Sequence, residues 1–146
     1  MKIVFDCYNP DEPIPVVKYL KNKKLQKYFS RETAAAIVCA AKLLVGIDLD
    51  PETPFYYATG FIEYEDYGLK YIVEDSVDPT GKFSDRLFIE KGLSRISPLN
   101  QFKVLQNMPL CFVSIEHNLH GDNAVVYASA AGLLQHARLP GTTTLR

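Results

Sequence analysis

The feature that most constrains this chain is an apolar stripe at helical spacing, bounded by its own stop signals. Ala34, Ile37, Val38, Ala41 and Leu44 recur on one face of a 3.6-residue period. Ser30 is a good N-cap with Glu32 in the first turn behind it, and Gly46 stands where a helix terminator belongs. Short runs of strand type lie on either side. Lys2–Tyr8 is rich in β-branched and aromatic residues and closes on Asn9-Pro10-Asp11. Phe55–Thr59 follows the break at Asp50-Pro51 and ends at Gly60. Pro10, Pro13 and Pro15 make the segment between the first run and Ser30 a loop.

The same alternation continues downstream. A weaker helix is expected over Tyr67–Val77, then a turn at Asp78-Pro79-Thr80-Gly81. Ser84-Asp85 caps a short helix reaching Lys91, and Ser97-Pro98 opens another. Cys111–Glu116 is too short to assign by period, but Pro109 favours a helix start. Ala124–Tyr127 reads as a short buried strand, Ala128–Gly132 is a run of small residues, and Leu133–Leu139 reads as a helix stopped by Pro140-Gly141. Strands alternating with helices argue for an α/β fold with a largely parallel sheet. With no repeat, linker or low-complexity tract, residues 1–146 are expected to form a single domain.

Composition narrows the function classes. A hydrophobic share of 47% with 23% charged residues suits a globular core rather than disorder. The net charge is −1, and the four lysines of Lys21–Lys27 are flanked by acidic residues, so they read as a solvated helix face rather than a nucleic-acid or carrier-protein patch. No run approaches the ~18 apolar residues of a membrane span, and Asp6 interrupts the N-terminal run before it reaches signal-peptide length. Cys7, Cys39 and Cys111 lie far apart among apolar neighbours, which predicts buried reduced thiols and a cytoplasmic setting.

The stretch from Ile96 to Gly132 carries a set of motifs in order: Ser97-Pro98, Asn107-Met108, Ser114-Ile115, Gly121-Asp122-Asn123, the run Ala124–Tyr127, and Ala128-Ser129-Ala130-Ala131-Gly132. This series resembles the β-ketoacyl synthase family. That family has Ser-Pro, Asn-Met, Ser-Ile, Gly-Pro-Asn, a short buried strand and Ala-Cys-Ala-Ser/Thr-Gly. Glu90-Lys91-Gly92, Phe29-Ser30 before the alanine-rich helix, Asp50-Pro51 and the strand ending at Gly60 fit as well. The likeness thus spans nearly the whole chain and the front half of the family's domain. It implies a single ketosynthase N-terminal-like domain, half of a thiolase-like αβαβα sandwich with a short mixed, largely parallel sheet.

The departures bear most on function. Ser129 falls where the family's nucleophilic cysteine falls, Asp122 replaces a proline, and Tyr127 replaces a small residue. The family's two catalytic histidines belong to its second half, which this sequence does not contain. A thiol is a few per cent ionised near pH 7, whereas a serine hydroxyl needs an adjacent base. His136, seven residues after Ser129 on the expected helix, lies too far along to serve as one. His117 and His120 have a spacing that would place both on one helix face as metal ligands, but no third ligand follows and Gly121 suggests a loop, so no metal and no cofactor are expected. Nine tyrosines and eight phenylalanines, many between Phe55 and Tyr71, read first as core packing and second as an interface.

The resemblance therefore implies a non-catalytic synthase-like subunit, of chain-length-factor type, in fatty-acid, polyketide or aryl-polyene biosynthesis. Its expected partners are a second copy of itself or a full-length ketosynthase, with an acyl carrier protein as a further one. Neither nucleic acid nor membrane is expected. The alternatives are an acyltransferase or decarboxylase of altered type using Ser129 with a base from a partner chain, and a truncated remnant, since residues 141–146 do not resemble the family's next strand.

Overall fold

The computed structural model describes Lys2 and residues 4–60, 69–95 and 97–127. Helix α1 spans Arg31–Leu44, strand β1 Phe55–Thr59, and α2 Leu69–Asp75. Asp85–Leu87 forms a single turn, α3, running into a π-helical turn over Phe88–Gly92. Helices α4 (Pro98–Val104) and α5 (Met108–His117) lead to strand β2, Asn123–Tyr127. The result is a mixed α/β fold with a two-stranded parallel sheet, in which β1 pairs with β2 from Phe55↔Asn123 to Thr59↔Tyr127. Helices separate the two strands in sequence, as a parallel pair requires.

Helix α1 forms where its punctuation says it should. The Ser30 hydroxyl accepts the Thr33 N–H at 3.2 Å, satisfying one of the orphan donors of the first turn. Gly46 takes the left-handed conformation at φ +73°, and Val45 already leaves the helical region. The inward face of α1 packs on α5, and α5 in turn packs against β1. Their shared core holds Val16, Leu20, Phe29, Ile37, Val38, Phe112 and Val113. Pro109 stands in the first turn of α5, so the ambiguous apolar run after it is helical.

The proline-rich loop proves to be ordered. It contains two 3-10 turns, Val16–Tyr19 and Lys23–Tyr28, and Val16 in the first and Leu20 just after it are buried in the core. Glu116, itself buried, reaches from α5 to accept the Lys21 backbone N–H at 2.9 Å. That charge-assisted bond ties the loop to the helix across 95 residues of sequence.

Three expectations are corrected. Lys2–Tyr8 joins no strand among the described residues. Its exposure alternates, with Val4, Asp6 and Tyr8 half-buried and Phe5 and Cys7 outward, and its anchors are side chains rather than a ladder. Lys42 donates to Asp6 at 2.6 Å, Lys2 reaches the Val45 carbonyl, and Arg31 holds the carbonyls of Asn9 and Glu12. The cysteines are free but not fully buried: Cys7 is exposed on the outward face of that segment, and Cys39 and Cys111 lie on helix flanks. Strand β2, finally, is half exposed, with Val126 and Tyr127 both open to solvent. No helix among the described residues is long and apolar enough to cross a membrane.

Helix α5 ends on Asn118, whose φ of 56° and ψ of 47° are left-handed, with Leu119 N–H bonded to the Ser114 carbonyl. Glycine adopts that conformation without a Cβ penalty, and a β-branched residue does not. Asn118→Gly is therefore expected to leave stability unchanged or raise it by up to about 1 kcal/mol, and Asn118→Val to lower it by about 1–2 kcal/mol. Urea unfolding of the two variants checks the order.

Candidate functional site

In open parallel sheets the carboxyl ends of the strands are the usual location of function. Here those ends are Thr59 and Tyr127, paired side by side. Thr59 is buried, its hydroxyl donating to the Gly60 carbonyl at 3.4 Å, and Tyr57 lies two residues back on the same strand. Burial pushes the Tyr57 phenol above its ordinary range, with Glu32 and Cys39 adding to the effect, so it stays protonated at neutral pH and serves as a hydrogen-bonding group. Ser129 follows Tyr127 by two residues and lies outside the described residues, as do His136 and the expected helix Leu133–Leu139.

At the opposite end, the amino end of β2 is locked to the turn before β1. The Pro51 carbonyl accepts both the His120 N–H at 2.7 Å and the Gly121 N–H at 3.2 Å, and Phe55 N–H donates to the Asp122 carbonyl at 2.9 Å. Asp122 is exposed.

His117 and His120 are not on one helix face. His117 is the last residue of α5, and the left-handed turn at Asn118 carries the chain away before His120. The His120 ring Nε2 pairs with the Asn118 side-chain oxygen at 3.0 Å. His117 is partly covered, and burial, reinforced by Lys21 and opposed by Glu116, holds its pKa below the ordinary range. Among the described residues no group of three or more His, Cys, Asp or Glu is suited to hold a metal ion.

One titratable network was not foreseen. Asp6 Oδ2 accepts from Lys42 Nζ at 2.6 Å and from the Tyr8 hydroxyl at 2.6 Å. The Lys42 hydrogen bond, aided by that of Tyr8, lowers the Asp6 pKa, while the bond to Asp6 pushes Tyr8 up to about 12. The Cys39 thiol is raised chiefly by burial and then by Asp6. A thiol shifted upward is a poorer nucleophile at neutral pH, so Cys39 belongs to packing rather than chemistry. The available signal was Asp6 itself, an acid placed on the inward phase of an otherwise apolar run.

The aromatic residues follow the expectation of core packing only in part: Phe55 packs against the core and Tyr57 is half-buried. Tyr56 and Tyr71 are exposed, and residues 61–68 lie outside the described part. The described aromatic cluster is built instead from Tyr28, Phe29, Phe102 and Phe112. No protein-family model, curated protein or solved structure matches the chain.

Proposed function

We propose that this chain is a β-ketoacyl-synthase-like subunit of thiolase-like half-sandwich type that supports a partner rather than catalysing condensation itself. The observation that carries the reading is the parallel β1–β2 pair, whose second strand runs into Ala128-Ser129, the position of the family's nucleophile. Serine there lacks the readily ionised thiol that acyl capture uses. Of the histidines, His117 and His120 precede the amino end of β2. They are thus a strand length of roughly 13 Å from the end that leads toward Ser129.

Association fits the exposed end of the same strand. Val126 and Tyr127 are 40% and 63% exposed, and among the described residues β2 pairs only with β1. An uncovered edge of this composition favours pairing with another chain. In the family this strand meets its twin across a dimer, so the expected occupant is a second copy or a full-length ketosynthase.

The test is a tagged pull-down from the native cell with proteins identified by mass spectrometry, joined to a Ser129→Ala variant. Recovery of a full-length ketosynthase or an acyl carrier protein is expected, with the partner's condensation rate unchanged by Ser129→Ala. Recovery of the chain alone would sink the subunit reading. Loss of acyl transfer in Ser129→Ala would instead assign catalysis to the serine.

A further inference from the structure

The chain from Val4 to Glu12, with Lys2 ahead of it, follows one helix from end to end. Arg31, the first residue of α1, donates to the carbonyls of Asn9 and Glu12. Lys42 in the last turn donates to Asp6, and the Val45 carbonyl at the C-cap accepts from Lys2. Rising positions on α1 thus meet falling positions on the segment, which therefore lies antiparallel to the helix. The lengths agree. Arg31 to Val45 spans about 21 Å at 1.5 Å per helical residue, and Lys2 to Asn9 spans about 23 Å when extended. Arg31, Ala35, Cys39 and Lys42 stand at helical spacing on one stripe of α1, so the tethers share a single flank.

The inward phase of the segment, Val4, Asp6 and Tyr8, is half-buried, and Asp6 and Tyr8 lie close enough to act on the Cys39 thiol. Tyr8 also packs against the core. What distinguishes this strap from a strand is how it is held. The N–H and C=O groups of Val4 through Tyr8 make no backbone hydrogen bond among the described residues. A ladder spreads its strength over many bonds, whereas here the strongest tether is one charge-assisted node. Asp6 Oδ2 accepts Lys42 Nζ and the Tyr8 hydroxyl, each at 2.6 Å. A segment with few buried contacts and no ladder opens locally, at a free-energy cost below that of global unfolding.

We propose that this strap is a latched cover, opening from α1 as a unit while the domain stays folded, with the Asp6–Lys42–Tyr8 node as its latch and the helix flank around Cys39 as the surface it uncovers. The inference does not depend on the synthase-like reading, because it uses only the strap and α1. Any event that removes the charge of Asp6 or Lys42 releases the latch and leaves the α1–α5 core in place, since neither residue belongs to that core.

The test is iodoacetamide labelling of the full chain, followed by peptide mass spectrometry so that Cys7, Cys39 and Cys111 are followed separately. Cys7 is exposed and serves as the open reference, and Cys111 on α5 reports opening away from the strap. We expect Cys39 to react at least about tenfold more slowly than Cys7, and Lys42→Gln to speed Cys39 about tenfold or more. Cys111 and the urea midpoint of the helical signal are expected to stay unchanged, and Lys42→Arg to keep Cys39 slow. The sign separates opening from thiol chemistry. The Lys42 charge favours the thiolate, so its loss alone slows the reaction of Cys39. Cys39 as reactive as Cys7 in the native chain, no acceleration in folded Lys42→Gln, or Cys39 and Cys111 accelerating together with a lowered urea midpoint would overturn the proposal.

Discussion

Phe112→Ala is expected to lower the free energy of unfolding by about 3–5 kcal/mol, a large share of the roughly 5–15 kcal/mol typical of a domain. The side chain stands on the inward face of α5 and is only 5% exposed. Phe29 meets it edge-on at 4.7 Å, and Tyr28 lies stacked at 6.4 Å. Those contacts join α5 to a piece of chain distant in sequence, made of α1, through Ile37 and Val38, and the loop before it. Truncation removes the transfer energy of the ring and leaves a cavity between elements whose spacing the Glu116–Lys21 bond helps to fix, so the site collapses poorly.

The informative comparison is Phe83→Ala. Phe83 is 61% exposed, contacts Phe88 at 5.8 Å, and is expected to cost under about 1 kcal/mol when truncated. Urea unfolding at constant m-value measures both. If the two substitutions cost the same, the α1–α5 layer is not what holds the fold together.

What could be read from the sequence followed the range of the interactions involved. Helix α1 was legible because its cap, stripe and terminator are all local: Ser30 bonds Thr33, and Gly46 turns the chain just after it. Strands β1 and β2 were legible from their residue types, and α5 from the proline in its first turn. Lys2–Tyr8 has equally strand-like residues, yet strand residues specify a ladder only when a partner edge is present. Asp6 instead finds Lys42, 36 positions away, which no local pattern announces. Glu116 is the same kind of case, an apparently ordinary surface acid whose burial depends on a backbone N–H 95 residues earlier. Of the candidate site, the strand leading to Ser129 was foreseen in place and direction, while its exposed Val126 and Tyr127 were not. Burial depends on what covers a strand rather than on its own composition.

Gly121→Ala should be the other severe substitution, for a reason of space rather than backbone torsion. A Cβ built on Gly121 would meet the Thr53 carbonyl carbon at 2.9 Å, the Glu52 carbonyl carbon at 2.6 Å, and the Glu52 oxygen nearer still. All three atoms are backbone, so relief requires moving the turn that precedes β1. The same turn accepts the His120 and Gly121 N–H groups through Pro51, and Phe55 N–H answers from the start of β1 to Asp122. This double lock sets Phe55 opposite Asn123, and a one-residue slip would turn every β2 side chain to the other face. Overpacking usually costs about 1–3 kcal/mol, and a clash wholly against backbone that also strains a register lock belongs at or above the top of that range. Gly60, at the far end of β1, supplies the control: its added Cβ meets nothing within 4 Å, so Gly60→Ala is expected to be neutral or slightly stabilising. Amide hydrogen exchange of β1 and β2, read beside urea unfolding, separates loss of the strand pair from general destabilisation. Equal, mild effects of the two alanines would show that the Pro51–Gly121 lock does not set the register.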